Sequence, residues 1–580
     1  MATSRPGSRR GKTSLAADTM PADGADAAAP EPSAAARAAR KTSAGHRAKS
    51  SAAAGNDARP VGPDAVSALQ REYLLRFNEL FARCMSGAAP ELKDSRFAGK
   101  AWQEHPVHGW QAAWYLFNAE FLKRSAELLC LEGKARDRLR FVVRQWIDAV
   151  SPANFFASNP DAQARMIETQ GESLRRGIDN LLHDLRQGRI SQTDSSAFEV
   201  GRNVGVTPGS VIYENELVQL IQYRPATSAV GERPLLIVPP AINKFYILDL
   251  QPANSFVAHA VAEGHTVFLV SWRNVEEDQA TLSWDDYLQK GIIDPIHVVQ
   301  EISGQPTINT LGFCLGGTLL ATALAAMAAR GERPAESLTL LTTLLDFADP
   351  GMIGVFIDES HVVLREQTIG RRGLMSGREL ATAFSFLRPN ELVWNYVVGN
   401  YLKGDTPPAF DLLYWNADST NLAGPMFCTY LRHTYLQNEL SRPGKFHSLG
   451  VPIDLRVIDV PTYALCARED HIVPWQGGYV SARALGGKPR FILTASGHIA
   501  GVVNPPAKQK RSYQVGPDID ALAPEQWQER AETFPGSWWV DWYRWLEAFK
   551  GASIPASDEP GSARYRPIEP APGRYVKEKI

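Results

Sequence analysis

Cys314 stands in the run Leu311-Gly-Phe-Cys-Leu-Gly-Gly317, where glycines two residues before and two after it make the pattern of a nucleophile elbow. A lipase would carry serine at that point; here the attacking group would be a thiol. The preceding run Pro306-Thr-Ile-Asn-Thr-Leu311 reads as a short β-branched strand. The following run, Thr318 to Arg330, reads as an alanine- and leucine-rich helix that stops at Gly331. Strand, sharp turn and helix expose the side chain, and the helix N-terminus beneath it favours a thiolate.

A thiol nucleophile needs a base, and the base needs an orienting acid. In chain order after Cys314 come a polar loop, Cys466-Ala-Arg-Glu-Asp470-His-Ile-Val-Pro474, and a polar turn, Ser496-Gly-His498, each following a strand-like run. We therefore expect Asp470 as acid and His498 as base. Asp346, ending the first strand after the nucleophile helix, and Glu469 are rival acids. Asp470 is preferred for its loop position before the histidine strand. His471 adjoins it and reads first as a loop histidine bonded to backbone, second as a substrate or lid residue. For the oxyanion, the backbone N–H of Leu315 is expected to act with one N–H from the loop Pro239–Tyr246, for which Ile242 is the candidate. Thiol attack on a thioester exchanges one thioester for another at little free-energy cost. Transfer of the acyl group to an alcohol then runs downhill. Cysteine with histidine and aspartate thus suits acyl transfer from thioester to hydroxyl.

These residues must be held by a large chain. At 580 residues it exceeds one simple core. Its 61 basic and 63 acidic residues give no global field that argues for nucleic acid. Five scattered cysteines make neither a disulfide framework nor a Cys-x-x-Cys metal pair, and fit a reducing, cytoplasmic setting. No phosphate-loop or dinucleotide fingerprint appears, and no metal-ligand spacing, so neither a cofactor nor a metal is expected. No apolar run has the length of a membrane span, and the N-terminus lacks a signal peptide's apolar region.

Residues 1–62 hold ten Lys/Arg, five Asp/Glu and no aromatic residue, and read as a disordered basic tail. Residues 63–200 read as helical, with apolar positions recurring every three to four residues and Pro-containing breaks at 104–107 and 158–160. From 201 to 580 strands alternate with helices. Strands are expected at 211–213, 217–223, 235–238, 266–270, 338–345, 462–465 and 490–493. Between about 350 and 455 the alternation lapses into an aromatic-rich segment containing Trp415, placed where an α/β-hydrolase inserts a lid. Trp415 there is either lid packing or a substrate contact. The expected architecture is an α/β-hydrolase fold with an inserted lid (cap) subdomain, preceded by a helical N-terminal domain. A tryptophan-rich helix and a Pro-rich tail close the chain.

Long motifs, taken in order, resemble those of class I polyhydroxyalkanoate synthases. They include Ser151-Pro-Ala-Asn-Phe155, Pro239-Pro240 with Ile242-Asn-Lys244, Tyr246-Ile-Leu-Asp-Leu-Gln-Pro252 and Ser271-Trp-Arg-Asn274. Gly312-Phe-Cys-Leu-Gly-Gly317, Arg432-His-Thr-Tyr-Leu-Gln-Asn438, Arg468-Glu-Asp-His-Ile-Val-Pro-Trp475 and Ser496-Gly-His-Ile-Ala-Gly501 continue the series. Val275 stands where proline is usual, and Ala241 where a cysteine often precedes Ile-Asn-Lys. The resemblance implies Cys314 as acyl carrier with Asp470 and His498 as partners. It implies (R)-3-hydroxyacyl-CoA, chiefly the short 3-hydroxybutyryl-CoA, as substrate, with CoA a product rather than a cofactor. It further implies a homodimer at cytoplasmic polyester granules, in contact with the growing chain, the granule surface and granule-associated proteins. Two other readings compete: a thioesterase or polyester hydrolase on the same fold, which serine would suit better, and a granule-coating scaffold with an idle site.

Overall fold

The computed structural model describes residues 63–580; the basic segment 1–62, read above as disordered, lies outside the described residues. Residues 63–580 belong to one compact unit. Its centre is a sheet whose strands are β1 (Gly209–Glu214), β2 (Val218–Tyr223), β3 (Leu235–Val238), β4 (Val267–Trp272), β5 (Ile308–Phe313) and β6 (Ala335–Leu341). The later strands are β7 (Thr462–Ala467), β8 (Arg490–Thr494), β9 (Ser512–Val515), β10 (Glu532–Pro535) and β11 (Glu569–Pro570). They lie in the order β10-β9-β8-β7-β6-β5-β3-β4-β2-β1-β11.

The middle strands, from β4 through β3, β5, β6 and β7 to β8, are parallel. Both of their faces are covered, so β3, β4, β5 and β7 are buried at every residue and read as continuous apolar runs rather than alternating ones. From β3 the chain goes to β4 on one side and to β5 on the other. The strand order therefore reverses at β3, and a crevice opens at the strand C-termini. Cys314, the loop after β3 and the loop after β7 all lie at those ends.

The expected strand at 338–345 is corrected: β6 begins at Ala335 and ends at Leu341. Thr342 turns out of it with φ 41° while its N–H donates to Leu465 O at 2.7 Å. The apolar run continued past the strand because residues 343–345 pack under the site. The sequence reading also missed β9, β10 and β11. They are short, partly exposed edge strands whose residues carry little apolar alternation. The C-terminal stretch is more than a tail. Ser553–Pro555 pairs with Ala229–Gly231, β11 extends the sheet edge, and Tyr575 and Val576 are buried.

Among the described residues the four longest helices before the sheet are Pro63–Met85, Pro106–Glu127, Gly133–Ala149 and Glu172–Gln187. Proline at the first helical position accounts for the sequence break at 104–107. Near 158–160, Asn159 caps the short helix Pro160–Glu168 by accepting from Ala162 N–H at 3.0 Å. These helices are braced against the stretch between β6 and β7. Gln145 donates to Phe386 O at 2.8 Å, Asn390 to Asp148 at 2.7 Å, and Tyr401 to Asp184 at 2.7 Å. Gly177 lies so close to the Tyr401 carbonyl that a Cβ there would overlap it.

Behind the sheet, the helix Trp539–Leu546 and the preceding Trp538 wedge three buried indoles beneath the His498 turn. Trp538 Nε1 donates to Gly501 O at 3.0 Å and Trp539 Nε1 to Val502 O at 2.9 Å, both carbonyls of the short helix that His498 opens. Trp542 Nε1 donates to Thr339 Oγ1 of β6 at 2.9 Å. We expect Trp538→Ala to destabilise the protein by about 3–5 kcal/mol, read as a lower denaturation midpoint by circular dichroism.

Candidate active site

Cys314 sits between β5 and the helix Leu315–Ala329 with φ 53° and ψ −125°, a conformation that a non-glycine residue adopts only under constraint from its surroundings. That constraint is close packing. A Cβ on Gly312 would strike the backbone of Gly317, and one on Gly316 would strike the carbonyls of Val238 and Pro239. The glycine spacing read from the sequence is thus a requirement of contact between β5, the helix and the end of β3. Cys314 N–H donates to Leu341 O at 2.9 Å, and the Cys314 carbonyl accepts from Gly317 N–H at 2.9 Å, which pins the turn from both sides. The helix is apolar all round and buried from Leu315 to Met327, so it cannot rotate to relieve the strain.

His498 and Asp470 arrive from the ends of β8 and β7. His498 Nδ1 donates to Asp470 Oδ2 at 2.6 Å, with the two side chains 5 % and 0 % exposed. The other carboxylate oxygen, Oδ1, accepts from Ile472 N–H at 2.8 Å and Val473 N–H at 2.9 Å. Asp470 therefore fixes the loop with one oxygen and the imidazole with the other. With Nδ1 committed to Asp470, the imidazole keeps Nε2 free to serve Cys314, to which it is coupled by charge. Burial works against a charged imidazole here, but the charges of Asp470 and Cys314 outweigh it and raise the His498 pKa to about 10. The ring of Phe313 stacks on His498 at 5.6 Å between centroids.

The loop after β3 lies against the elbow through the Gly316 contact and is tied to the segment opposite. Ile242 O accepts from Thr420 N–H at 3.0 Å, and Asn243 forms an antiparallel bridge with Ser419. Trp415, 4 % exposed, donates from Nε1 to Lys244 O at 2.7 Å.

Two family descriptions match this sequence: "Poly-beta-hydroxybutyrate polymerase (PhaC) N-terminus" over residues 93–260 and "alpha/beta hydrolase fold" over 234–505. The poly(3-hydroxyalkanoate) polymerase subunit PhaC of Cupriavidus necator is 56 % identical over 529 residues, covering 90 % of this chain and 89 % of that protein. The chain belongs to the poly(3-hydroxyalkanoate) polymerase family. The poly(3-hydroxyalkanoate) polymerase of Methylorubrum extorquens is 41 % identical, with 84 % of this chain and 82 % of that one covered. The poly(3-hydroxyalkanoate) polymerase 1 of Ectopseudomonas oleovorans is 38 % identical, with 85 % and 88 % covered. Among solved structures, a monoacylglycerol lipase from Paleococcus ferrophilus is 12 % identical with a TM-score of 0.32, covering 48 % of this chain and 90 % of that one.

In this polymerase-family chain the rival acids are engaged elsewhere. Asp346 Oδ1 accepts from Ala348 N–H at 2.8 Å and from Asn438 Nδ2 at 2.9 Å, and Glu469 is exposed. His471 is largely buried beside Arg388, Asp470 and His498. Burial first, then the Arg388 charge, pushes its pKa down to about 4, so it is neutral. Its Nδ1 finds no hydrogen-bond partner among the described residues, against the expectation of a bond to backbone. Among the described residues no group of three or more His, Cys, Asp or Glu side chains is gathered to hold a metal ion, and no helix is long and apolar enough to cross a membrane.

The sequence reading did not single out two tyrosines that lie within electrostatic reach of Cys314. Tyr430 and Tyr435 meet edge to face with centroids 5.4 Å apart. Burial above all, with Cys314 adding to it, pushes both phenols up, so they remain O–H groups. The only signal for them was the aromatic run ending in the Tyr435 motif, which looks like lid packing until β6 and β7 bring it over the elbow.

Because the His498 pKa is raised on folding, the charged imidazole contributes stability that is fully present below the unfolded value of about 6.5. That contribution is lost as pH rises through about 10. Asp470→Asn removes the largest raising influence. We expect histidine-selective NMR titration to show His498 protonated to near pH 10 in the native protein and titrating at clearly lower pH in the variant.

Proposed function

We propose that this polymerase joins (R)-3-hydroxyacyl units from CoA thioesters into a polyester through an acyl group carried on Cys314. What carries the reading is the constellation of a strained, half-exposed thiol, an imidazole held by a buried carboxylate, and a chain whose relatives are named poly(3-hydroxyalkanoate) polymerases.

The Cys314 thiolate attacks the thioester carbonyl while the N–H groups of Leu315 and Ile242 receive the developing oxyanion. The carbon–sulfur bond to CoA breaks, and the departing thiolate takes the proton from His498 to leave as free CoA. The imidazole, now neutral, accepts the proton of the 3-hydroxyl of a second unit or a chain end, and that oxygen attacks the Cys314 thioester. The new ester leaves Cys314 as thiolate and His498 charged again, ready for the next unit. Asp470 holds the imidazole in the tautomer both steps require.

We assign short acyl chains, chiefly 3-hydroxybutyryl, on the poly-beta-hydroxybutyrate polymerase match and the identity with the Cupriavidus necator protein. Work as a homodimer at cytoplasmic polymer granules, alongside granule-associated proteins, belongs to the same proposal.

The test is CoA release from (R)-3-hydroxybutyryl-CoA with parallel analysis of the acyl product. Wild type should release CoA and form insoluble polyester. Cys314→Ala should lose at least a thousandfold in CoA release, whereas Asp346→Asn should stay within a few-fold of wild type. CoA release with free hydroxyacid alone would make the protein a thioesterase. In a separate assay, iodoacetamide should inactivate the wild type in step with modification of the Cys314 peptide, followed by mass spectrometry because four other free cysteines are present.

A further inference from the structure

The loop Pro239–Tyr246 is held at five of its eight residues, by three separate parts of the chain. Trp272 Nε1 of β4 donates to Pro239 O at 2.9 Å. The stretch between β6 and β7 supplies Thr420 N–H to Ile242 O, Ser419 to Asn243, and Trp415 Nε1 to Lys244 O. The C-terminal stretch supplies one anchor and braces another. Lys244 Nζ, on a side chain 1 % exposed, donates to Tyr575 O at 3.3 Å. Tyr246 OH donates at 2.9 Å to Asp418 Oδ2, a 5 % exposed residue that also accepts from Lys579 Nζ at 2.7 Å.

Lys244 is the unusual member. The charged groups facing it are Asp418, Glu578 and Lys579. Burial lowers its pKa to about 8, with Asp418 and Glu578 holding it up. An ammonium buried this deeply costs several kcal/mol that a methionine of similar length would not. The observed geometry offers a use for it. Lys244 joins two anchors through one residue, its carbonyl to Trp415 and its ammonium to Tyr575, two residues from the Ile242 N–H.

We propose that Lys244, with Asp418 anchoring the same loop through Tyr246, is a positioning residue for acyl transfer. It sets the backbone of the loop so that the Ile242 N–H meets the thioester carbonyl only when the lid segment and the C-terminal stretch are both docked. The inference rests on the oxyanion role given to Ile242 above. Misplacement of a reacting group by about 1 Å can cost on the order of a hundredfold in rate, and an interaction made only in the transition state is lost from kcat rather than from KM.

The experiment compares wild type, Lys244→Met and Asp418→Asn, measuring kcat and KM for CoA release from (R)-3-hydroxybutyryl-CoA. The rate of Cys314 alkylation by iodoacetamide is measured alongside, because that reaction forms no oxyanion. We expect each variant to lose about 10–100-fold in kcat, with KM within about threefold and alkylation at the wild-type rate. Wild-type kcat in the variants would overturn the inference, as would KM and alkylation changing in step with kcat, the mark of a merely structural lysine. Should Lys244→Met not fold, the isosteric Asp418→Asn decides by the same criteria. A wild type that releases no CoA would instead overturn the functional reading on which the inference rests.

Discussion

The backbone of Cys314 is the constraint from which the rest of the site follows. A residue at φ 53° and ψ −125° relaxes unless its neighbours forbid it, and here β5, the helix Leu315–Ala329 and the end of β3 approach until only glycine fits at 312 and 316. That approach needs a parallel, doubly covered sheet and an apolar helix that can be buried on every side. The alanine-rich composition of the helix and the β-branched strand before it serve the same end. Strain is stored where the thiol must be presented, and it is offset by packing over the whole centre of the sheet.

The electrostatics are arranged in layers around that point. The Asp470 side chain loses all solvent exposure, yet its oxygens are satisfied by two backbone N–H groups and the imidazole. His498 is supported from beneath by tryptophan N–H groups that satisfy carbonyls of its own short helix. His471, one residue from Asp470, meets the opposite fate: without a carboxylate partner it is driven neutral. Two adjacent residues thus acquire opposite tendencies from partners that the fold alone supplies.

The stretch between β6 and β7 is bound on both flanks. The N-terminal helices grip it through Gln145, Asp148 and Asp184, and the loop after β3 grips it through Thr420, Ser419 and Trp415. Movement of that segment would disturb the Pro239–Tyr246 loop directly. Its hydrogen bonds there run backbone to backbone, from a buried indole, or between the buried side chains of Tyr246 and Asp418, and none is cushioned by a flexible surface side chain.

The sequence by itself determined the elements and the order of the chemistry. Gly312, Cys314 and Gly316, flanked by a β-branched strand and an alanine-rich helix, specify an elbow because no other local structure needs glycine at both places. Asp470 and His498 were legible because each follows a strand-like run and precedes a polar turn. These are local signals, set by propensity and spacing. Tertiary structure alone decided the rest. Only packing shows that Oδ1 of Asp346 is already engaged, that the apolar run 338–345 leaves the sheet at Thr342, and that short strands of weak alternation complete the sheet at its two ends. Only packing brings Tyr430, Tyr435 and the buried Lys244 to the site, across more than a hundred residues of chain for the tyrosines and against a segment near the C-terminus for the lysine. Charge and aromatic surface acquire meaning from what surrounds them in space, and sequence order carries no record of that.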